Sequence, residues 1–338
     1  MAQDFTQMRG WLRGQLGRLR PAHAPLGSAD GAAAPHPRVA VVCDSAAALP
    51  PEWLAAVPAG LLTVVPMPVI IGENVYAEDD AELEAHISLA LASGTAVRTS
   101  RPSPGQFERA YAAAAAAGYE SVVSIQISSK LSGTAESARI AAERATVPVR
   151  VIDALTVGMA QGFGVQAAVA AVLAGGDADL VAAAAESALA ATRVFFYVPS
   201  LDQLRRGGRI GMASSWLGTV LAIKPLLSIR DGSVVPVEKV RTAVKAIARL
   251  ETLARAEIGS RQGRPVQLAI HHFGNEEEAA ELGERLMADC PELAAVTLSR
   301  LPAVLAAHAG LGVLVVVVAD SITPPQGLPE SPGLTNPR

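Results

Sequence analysis

The chain has 338 residues, half of them hydrophobic and 18% charged, a composition that excludes a largely disordered polymer and leaves room for roughly two domains with their own cores. Its 28 basic and 32 acidic residues give a formal charge of −4, which argues against a nucleic-acid binder, a class that concentrates Lys and Arg. Two distant cysteines, Cys43 and Cys290, exclude a disulfide framework or thiolate zinc site and fit a cytoplasmic location, and the longest apolar run, 313–319, is too short to span a bilayer.

Residues 1–37 stand apart. Arg9, Arg13, Arg18 and Arg20 accumulate with no acid between Asp4 and Asp30, while Met8, Trp11, Leu12, Leu16 and Leu19 share one face of a possible helix. The expectation is a disordered extension, with peripheral membrane contact through a basic amphipathic helix as the other reading. No apolar core of a signal peptide is present. A Pro-rich tail, 321–338, is expected to be disordered as well.

Strand and helix patterns alternate between these ends. A strand is predicted over 38–42, then the Asp44-Ser45 turn, then an apolar region over 61–71 interrupted by Pro66 and Pro68. A helix over 80–92 leads to a loop at 99–103. The following helix is announced by Ser103, Pro104 and Gln106, a Ser-x-x-Gln capping box with proline in the first turn, and Gly118 ends it. A strand over 122–127, a helix over 133–144 and a strand over 149–152 complete a β-α-β-α-β rhythm, the mark of a mostly parallel sheet covered by helices. An Ala-rich helix over 178–191 opens the second half. Strands at 194–198, 225–230, 233–237, 266–273, 296–298 and 313–318 then alternate with helices at 200–206, 242–257 and 276–289. Asp231-Gly232 reads as a hairpin turn, so this half mixes antiparallel and parallel pairing. The expected fold is two α/β domains, 38–192 and 193–320, with a cleft between them: a mostly parallel first sheet and a mixed second one.

Several motifs invite chemistry. Gly158, Gly162 and Gly164 have the GxxxGxG spacing of a dinucleotide site, but they follow the fourth strand rather than the first, and close helix packing explains them better. His271 and His272 adjoin on a strand and face opposite sides, so both cannot serve one metal. His308, followed by Gly310 and Gly312, reads as a core histidine on sequence alone. In SSKLSGT (128–134), Ser132 lacks a nucleophile elbow and Lys130 lacks a Walker pattern. What remains is a strand end opening a helix at Gly133, where free amides favour an anion, or where Ser132 and Thr134 merely cap the helix. The LRRGGR stretch (204–209) is the densest basic run outside the extension, and its glycines bring the backbone of Arg209 close to a neighbour.

The blocks VVCDSAAALP (41–50), TVVPMPVIIGENVYAEDD (63–80), TSRPSPGQFERAY (99–111), SIQISSKLSGT (124–134), VPSLDQLRRGGRIG (198–211), IKPLLSIRDG (223–232) and VEKVRTAVKAI (237–247) occur in this order. Together they make the chain similar to the DegV family, fatty-acid-binding proteins that include the binding subunits of a bacterial fatty acid kinase. The resemblance implies a fatty acid sealed between two domains, its carboxylate held by Thr99, Ser132, Arg209 and His308 with the Gly133 helix end beside them. It also implies that Arg241 docks a kinase partner, that no cofactor is needed, and that the chain itself is not an enzyme. The sequence departs from the family pattern at Cys43, at Arg101 (for glutamine), at Ala154 and in the segment after His308. A dinucleotide oxidoreductase or a Ser132 hydrolase using the same cleft, or a carrier of another amphipathic carboxylate or phospholipid, are the competing readings.

Overall fold

The computed structural model describes residues 38–77, 82–216, 223–321 and 333–335; the expectations for the N-terminal extension and for most of the tail lie outside them. The first unit begins with β1 (Val39–Asp44), a short 3-10 turn (Ser45–Ala47), α1 (Pro51–Ala56) and β2 (Leu62–Val65). It continues through α3 (Pro104–Ala116), β6 (Ser121–Gln126), α4 (Thr134–Ala142), β7 (Val149–Asp153), α5 (Met159–Leu173) and α6 (Ala178–Ala190). Its sheet is wholly parallel in the order β2-β1-β6-β7. Every residue of β1 is buried, as expected for a parallel strand covered on both faces. The capping box forms, with the Ser103 amide donating to Gln106 Oε1 at 2.9 Å, and Phe107, Ala110, Tyr111 and Ala114 turn into the core.

Between β2 and α3 lies an element that the sequence pattern did not resolve. Pro66 and Pro68 end β2, and the chain forms a three-stranded antiparallel sheet from β3 (Val69–Ile71), β4 (Asn74–Tyr76) and β5 (Val97–Thr99), with α2 (Leu83–Ser93) intervening. The segment predicted as a loop at residue 99 is thus the end of β5. A proline cannot donate to a ladder, so Pro66 and Pro68 divide what reads as one apolar run into strands of two sheets.

The second unit contains β8 (Arg193–Tyr197), α7 (Asp202–Arg206), β9 (Lys224–Arg230), β10 (Ser233–Val240), α8 (Ala243–Gly259), β11 (Val266–Phe273), α9 (Glu276–Asp289), β12 (Leu293–Arg300), α10 (Ala303–Ala309), β13 (Val313–Asp320) and β14 (Gly333–Thr335). The sheet order is β10-β9-β8-β13-β11-β12-β14, with β11–β12 parallel and the other pairs antiparallel. At the β9–β10 hairpin Asp231 and Gly232 both have positive φ, 47° and 79°, as a mirror-image turn requires. β14 corrects one expectation: at 333–335 the tail is ordered as a strand, because β12 offers an open edge for pairing.

Alternation along these strands builds two cores. Phe195, Tyr197, Leu226, Leu268, Ile270, Leu314 and Val316 face α8 and α9. Val194, Phe196, Leu227, Ala269, Val313, Val315 and Val317 face the first unit, where they join Met67, Ile127, Met159, Phe163 and α10 in one apolar cluster. α5 touches β1 and β6 on one side and β13 on the other, so it is buried nearly all round. The glycines of the GxxxGxG spacing serve this packing. A β-carbon on Gly162 would lie 2.5 Å from the Ala47 carbonyl oxygen, and one on Gly164 2.7 Å from Leu189 of α6.

A head-and-tail pocket between the two units

The largely apolar pocket opens at the carboxyl ends of the parallel strands, the usual ligand position in α/β sheets. It encloses about 770 Å³ between atoms, part of it open to solvent. The loops after β2, β6 and β7 contribute Met67, Ile127, Leu131 and Val157, and the second sheet contributes Val194, Phe196, Ile229, Val234 and Val315. Leu301, Val304 and Leu305, beside and within α10, complete the apolar wall. No carboxylate lines it among the described residues.

Thr99, Ser132, Arg209 and His308 all line this one pocket, although they come from four separate segments. Thr99 ends β5 and its Oγ1 lies 2.8 Å from His308 Nε2 on α10. Burial, reinforced by the Arg209 charge, holds the His308 imidazole down to about 4, so the ring is neutral at pH 7. Its Nδ1 is buried without a hydrogen-bond partner among the described residues. Arg209 donates through Nε to the Leu131 carbonyl at 2.9 Å and through Nη1 to the Gly207 carbonyl at 2.5 Å, and no carboxylate pairs with it among the described residues. Ser132 Oγ meets Thr134 Oγ1 at 2.8 Å, and among the described residues it forms no hydrogen bond with an imidazole. Gly133 takes the N-cap position of α4 beside the pocket wall, covered by Arg101. Arg241 is exposed between β10 and α8, outside the pocket.

Sequence reasoning missed two parts of this arrangement. His271 also lines the pocket. Its Nε2 accepts from the Met159 amide at 3.0 Å, so Nδ1 carries the proton and donates to Ser299 Oγ at 2.9 Å. Burial, then the neighbouring His272, pushes its pKa down to about 4. The second part is Asp44-Ser45, read from sequence only as a turn. The fully buried Asp44 carboxylate accepts from the amides of Ala46 at 3.0 Å and Ile127 at 2.7 Å, and Ser45 Oγ accepts from the Met67 amide at 3.0 Å. This dipeptide therefore fixes two loops of the pocket wall. Burial raises Asp44 to about 6 despite those amide bonds.

The DegV family model, described as "Uncharacterised protein, DegV family", matches residues 38–321. The chain belongs to the DegV family. A DegV domain-containing protein of Streptomyces coelicolor is 43% identical over 282 residues, 83% of this chain and 98% of that protein. A DegV family protein from Thermus thermophilus, whose solved structure is presented for its fatty acid binding, is 30% identical with a TM-score of 0.77, covering 84% of this chain and 100% of that one. DegV from Bacillus subtilis, described as a fatty acid binding protein, is 30% identical with a TM-score of 0.75, covering 85% and 100%. Among the described residues no helix of this DegV chain is long and apolar enough to cross a membrane.

Proposed function

We propose that this chain binds one long-chain fatty acid in the pocket, carboxylate toward Thr99, Ser132, Arg209 and His308, and presents that carboxylate to an ATP-dependent fatty acid kinase for conversion to an acyl phosphate. The observation that carries the reading is the pocket's composition: apolar walls joined to an arginine that no described carboxylate neutralises. A carboxylate leaving water needs donors, because an unpaired buried charge is very costly. The hydroxyls, the guanidinium and the imidazole can supply them without a nucleophile or a base. The apolar walls match an acyl tail, each buried methylene contributing about 0.8 kcal/mol. The kinase step rests on the family resemblance; the exposure of Arg241 is compatible with a docking role. The free, buried cysteines fit the cytoplasm in which such a partner would act.

Solvent extraction and mass spectrometry of the purified protein test the first step, with a long-chain fatty acid at near one equivalent as the expected result. Preparations free of lipid whose melting temperature does not respond to added fatty acid would refute it. For the second step, Arg241→Ala is expected to impair acyl-phosphate formation by the kinase while the protein still retains fatty acid. Equal loss of both contradicts a docking role, and retention of fatty acid with no kinase able to use it identifies a carrier.

A further inference from the structure

A second cavity between the two units has no part in the fatty-acid reading. It encloses about 1200 Å³ between atoms, part of it open to solvent, and is framed by the turn after β1 and α1 on one side and the β12–α10 loop on the other. Its walls are mainly apolar, Leu54 and Phe273 among them, and Pro50, Pro51 and Pro302 stiffen them. Asp44, Ser45 and Ser299 supply polar groups, and each also holds a residue that lines the acyl pocket. Asp44 accepts from the Ile127 amide at 2.7 Å, Ser45 Oγ from the Met67 amide at 3.0 Å and Ser299 Oγ from His271 Nδ1 at 2.9 Å. Leu301 lines both cavities. The two cavities thus share one apolar wall residue and three polar supports.

The charges here favour an uncharged occupant. Glu84 and Arg300 pair with each other at the rim. The Asp44 carboxylate is fully buried and already accepts two amides. A ligand carboxylate would meet that charge with no spare cation, and an ammonium would leave water without finding an open partner. What the cavity offers is donors: the oxygens of Ser45 and Ser299 serve as acceptors, and among the described residues neither hydroxyl donates a hydrogen bond. We propose that this cavity binds an uncharged amphiphile, an apolar chain with an alcohol or carbonyl head, and that its occupancy tightens the hold of the acyl pocket on its own ligand. The site is independent of the fatty-acid reading; the coupling rests on it. A head group accepting from Ser45 and Ser299 fixes both side chains, and through them Met67 and His271 in the neighbouring wall. Order imposed by one ligand then need not be imposed again by the other. An alcohol or ester of this kind is a fatty acid whose carboxyl has been reduced or esterified, so the arrangement ties retention of the free acid to the neutral lipid present.

1-Decanol, methyl decanoate, decanoate and decyltrimethylammonium are titrated below their micellar concentrations into wild-type protein preloaded with palmitate, which keeps the probes out of the acyl pocket. Decanol or methyl decanoate is expected to bind roughly tenfold more tightly than either charged probe, the alcohol and carbonyl arms showing which head is preferred. Leu54→Trp and Ala303→Phe fill the cavity from its two sides and should weaken the uncharged probes by at least roughly tenfold while palmitate is retained, which also shows that the variants are folded. Saturating decanol should lower the Kd for palmitate roughly fivefold, and palmitate should lower the Kd for decanol by the same factor. Ser299→Ala, which cuts the link to His271, should bring that factor toward one. No binding of an uncharged probe, or binding undiminished in both filled variants, overturns the site. A charged probe that binds as tightly overturns the uncharged class, and an unchanged Kd for palmitate overturns the coupling. A wild type that takes up no palmitate refutes the fatty-acid reading, and decanol binding to the empty wild type and the two filled variants then decides the site by itself.

Discussion

Thr99 and His308 lie 209 positions apart, yet Thr99 Oγ1 and His308 Nε2 stand 2.8 Å from each other at the head of the pocket. One ends the edge strand of the small sheet; the other sits in the last turn of a seven-residue helix in the second unit. The bond therefore closes the pocket head across the two halves of the chain. Nδ1 is then the ring nitrogen without a partner among the described residues.

The ring is held in place by the absence of a side chain. A β-carbon on Gly207 would fall 2.1 Å from His308 Nδ1 and 2.7 Å from Cε1. Gly207 has φ −78°, which any residue adopts, so Gly207→Ala acts through contact rather than backbone strain. The expected cost is about 1–3 kcal/mol of stability from overpacking, with the imidazole displaced from Thr99. Affinity for fatty acid, followed by displacement of a fluorescent analogue, should fall roughly tenfold. A lowered melting temperature with unaltered affinity would show that His308 takes no part in binding.

Carboxylate binding beside a neutral imidazole should draw in a proton. The empty site holds His308 at about 4, and a negative charge arriving next to it stabilises the protonated form, raising that value. Between pH 5 and 6, binding of palmitate is expected to be accompanied by net proton uptake. Calorimetry in buffers of different ionisation enthalpy measures it directly. Uptake should vanish in His308→Gln; uptake equal in both proteins would place the carboxylate elsewhere.

Much of this was legible because its causes are local. The Ser103 capping box, the Asp231-Gly232 turn and the buried stripe of α3 depend on residues within one turn of each other. α10 escaped notice because seven residues of AVLAAHA carry neither a side-chain N-cap nor a full amphipathic period. His271 was unreadable for a different reason. Its tautomer is set by the amide of Met159, 112 positions away, and by Ser299 on the neighbouring parallel strand. Asp44 and Ser45 likewise acquire their roles only when the loops at Ile127 and Met67 reach them.

The glycine spacing in α5 separates helix packing from a dinucleotide site. Gly162→Ala puts a methyl group against a backbone oxygen that cannot turn away, so a loss of about 1–3 kcal/mol in urea unfolding is expected. NAD and NADP should leave the wild-type melting temperature unchanged. A nucleotide-induced rise that Gly162→Ala abolishes would restore the oxidoreductase reading.

Acid stability should record three buried groups with opposing signs. His271 and His308 fall from 6.5 to about 4 on folding, so the unfolded chain binds more protons between those values. Their contribution is complete above pH 6.5 and is lost as the pH drops toward 4. Asp44 rises from 3.8 to about 6, so its burial penalises the folded state above pH 6 and that penalty is relieved as the pH falls toward 3.8. Each full shift is worth on the order of 3 kcal/mol, and two histidines outweigh one carboxyl. The wild type should therefore lose a few kcal/mol between pH 7.5 and 4.5 in urea titrations. His271→Gln keeps an acceptor for the Met159 amide but does not titrate, so its profile should be flatter. Asp44→Asn removes the opposing carboxyl and should steepen the decline. Parallel profiles for all three proteins would mean that neither His271 nor Asp44 changes its ionisation on folding.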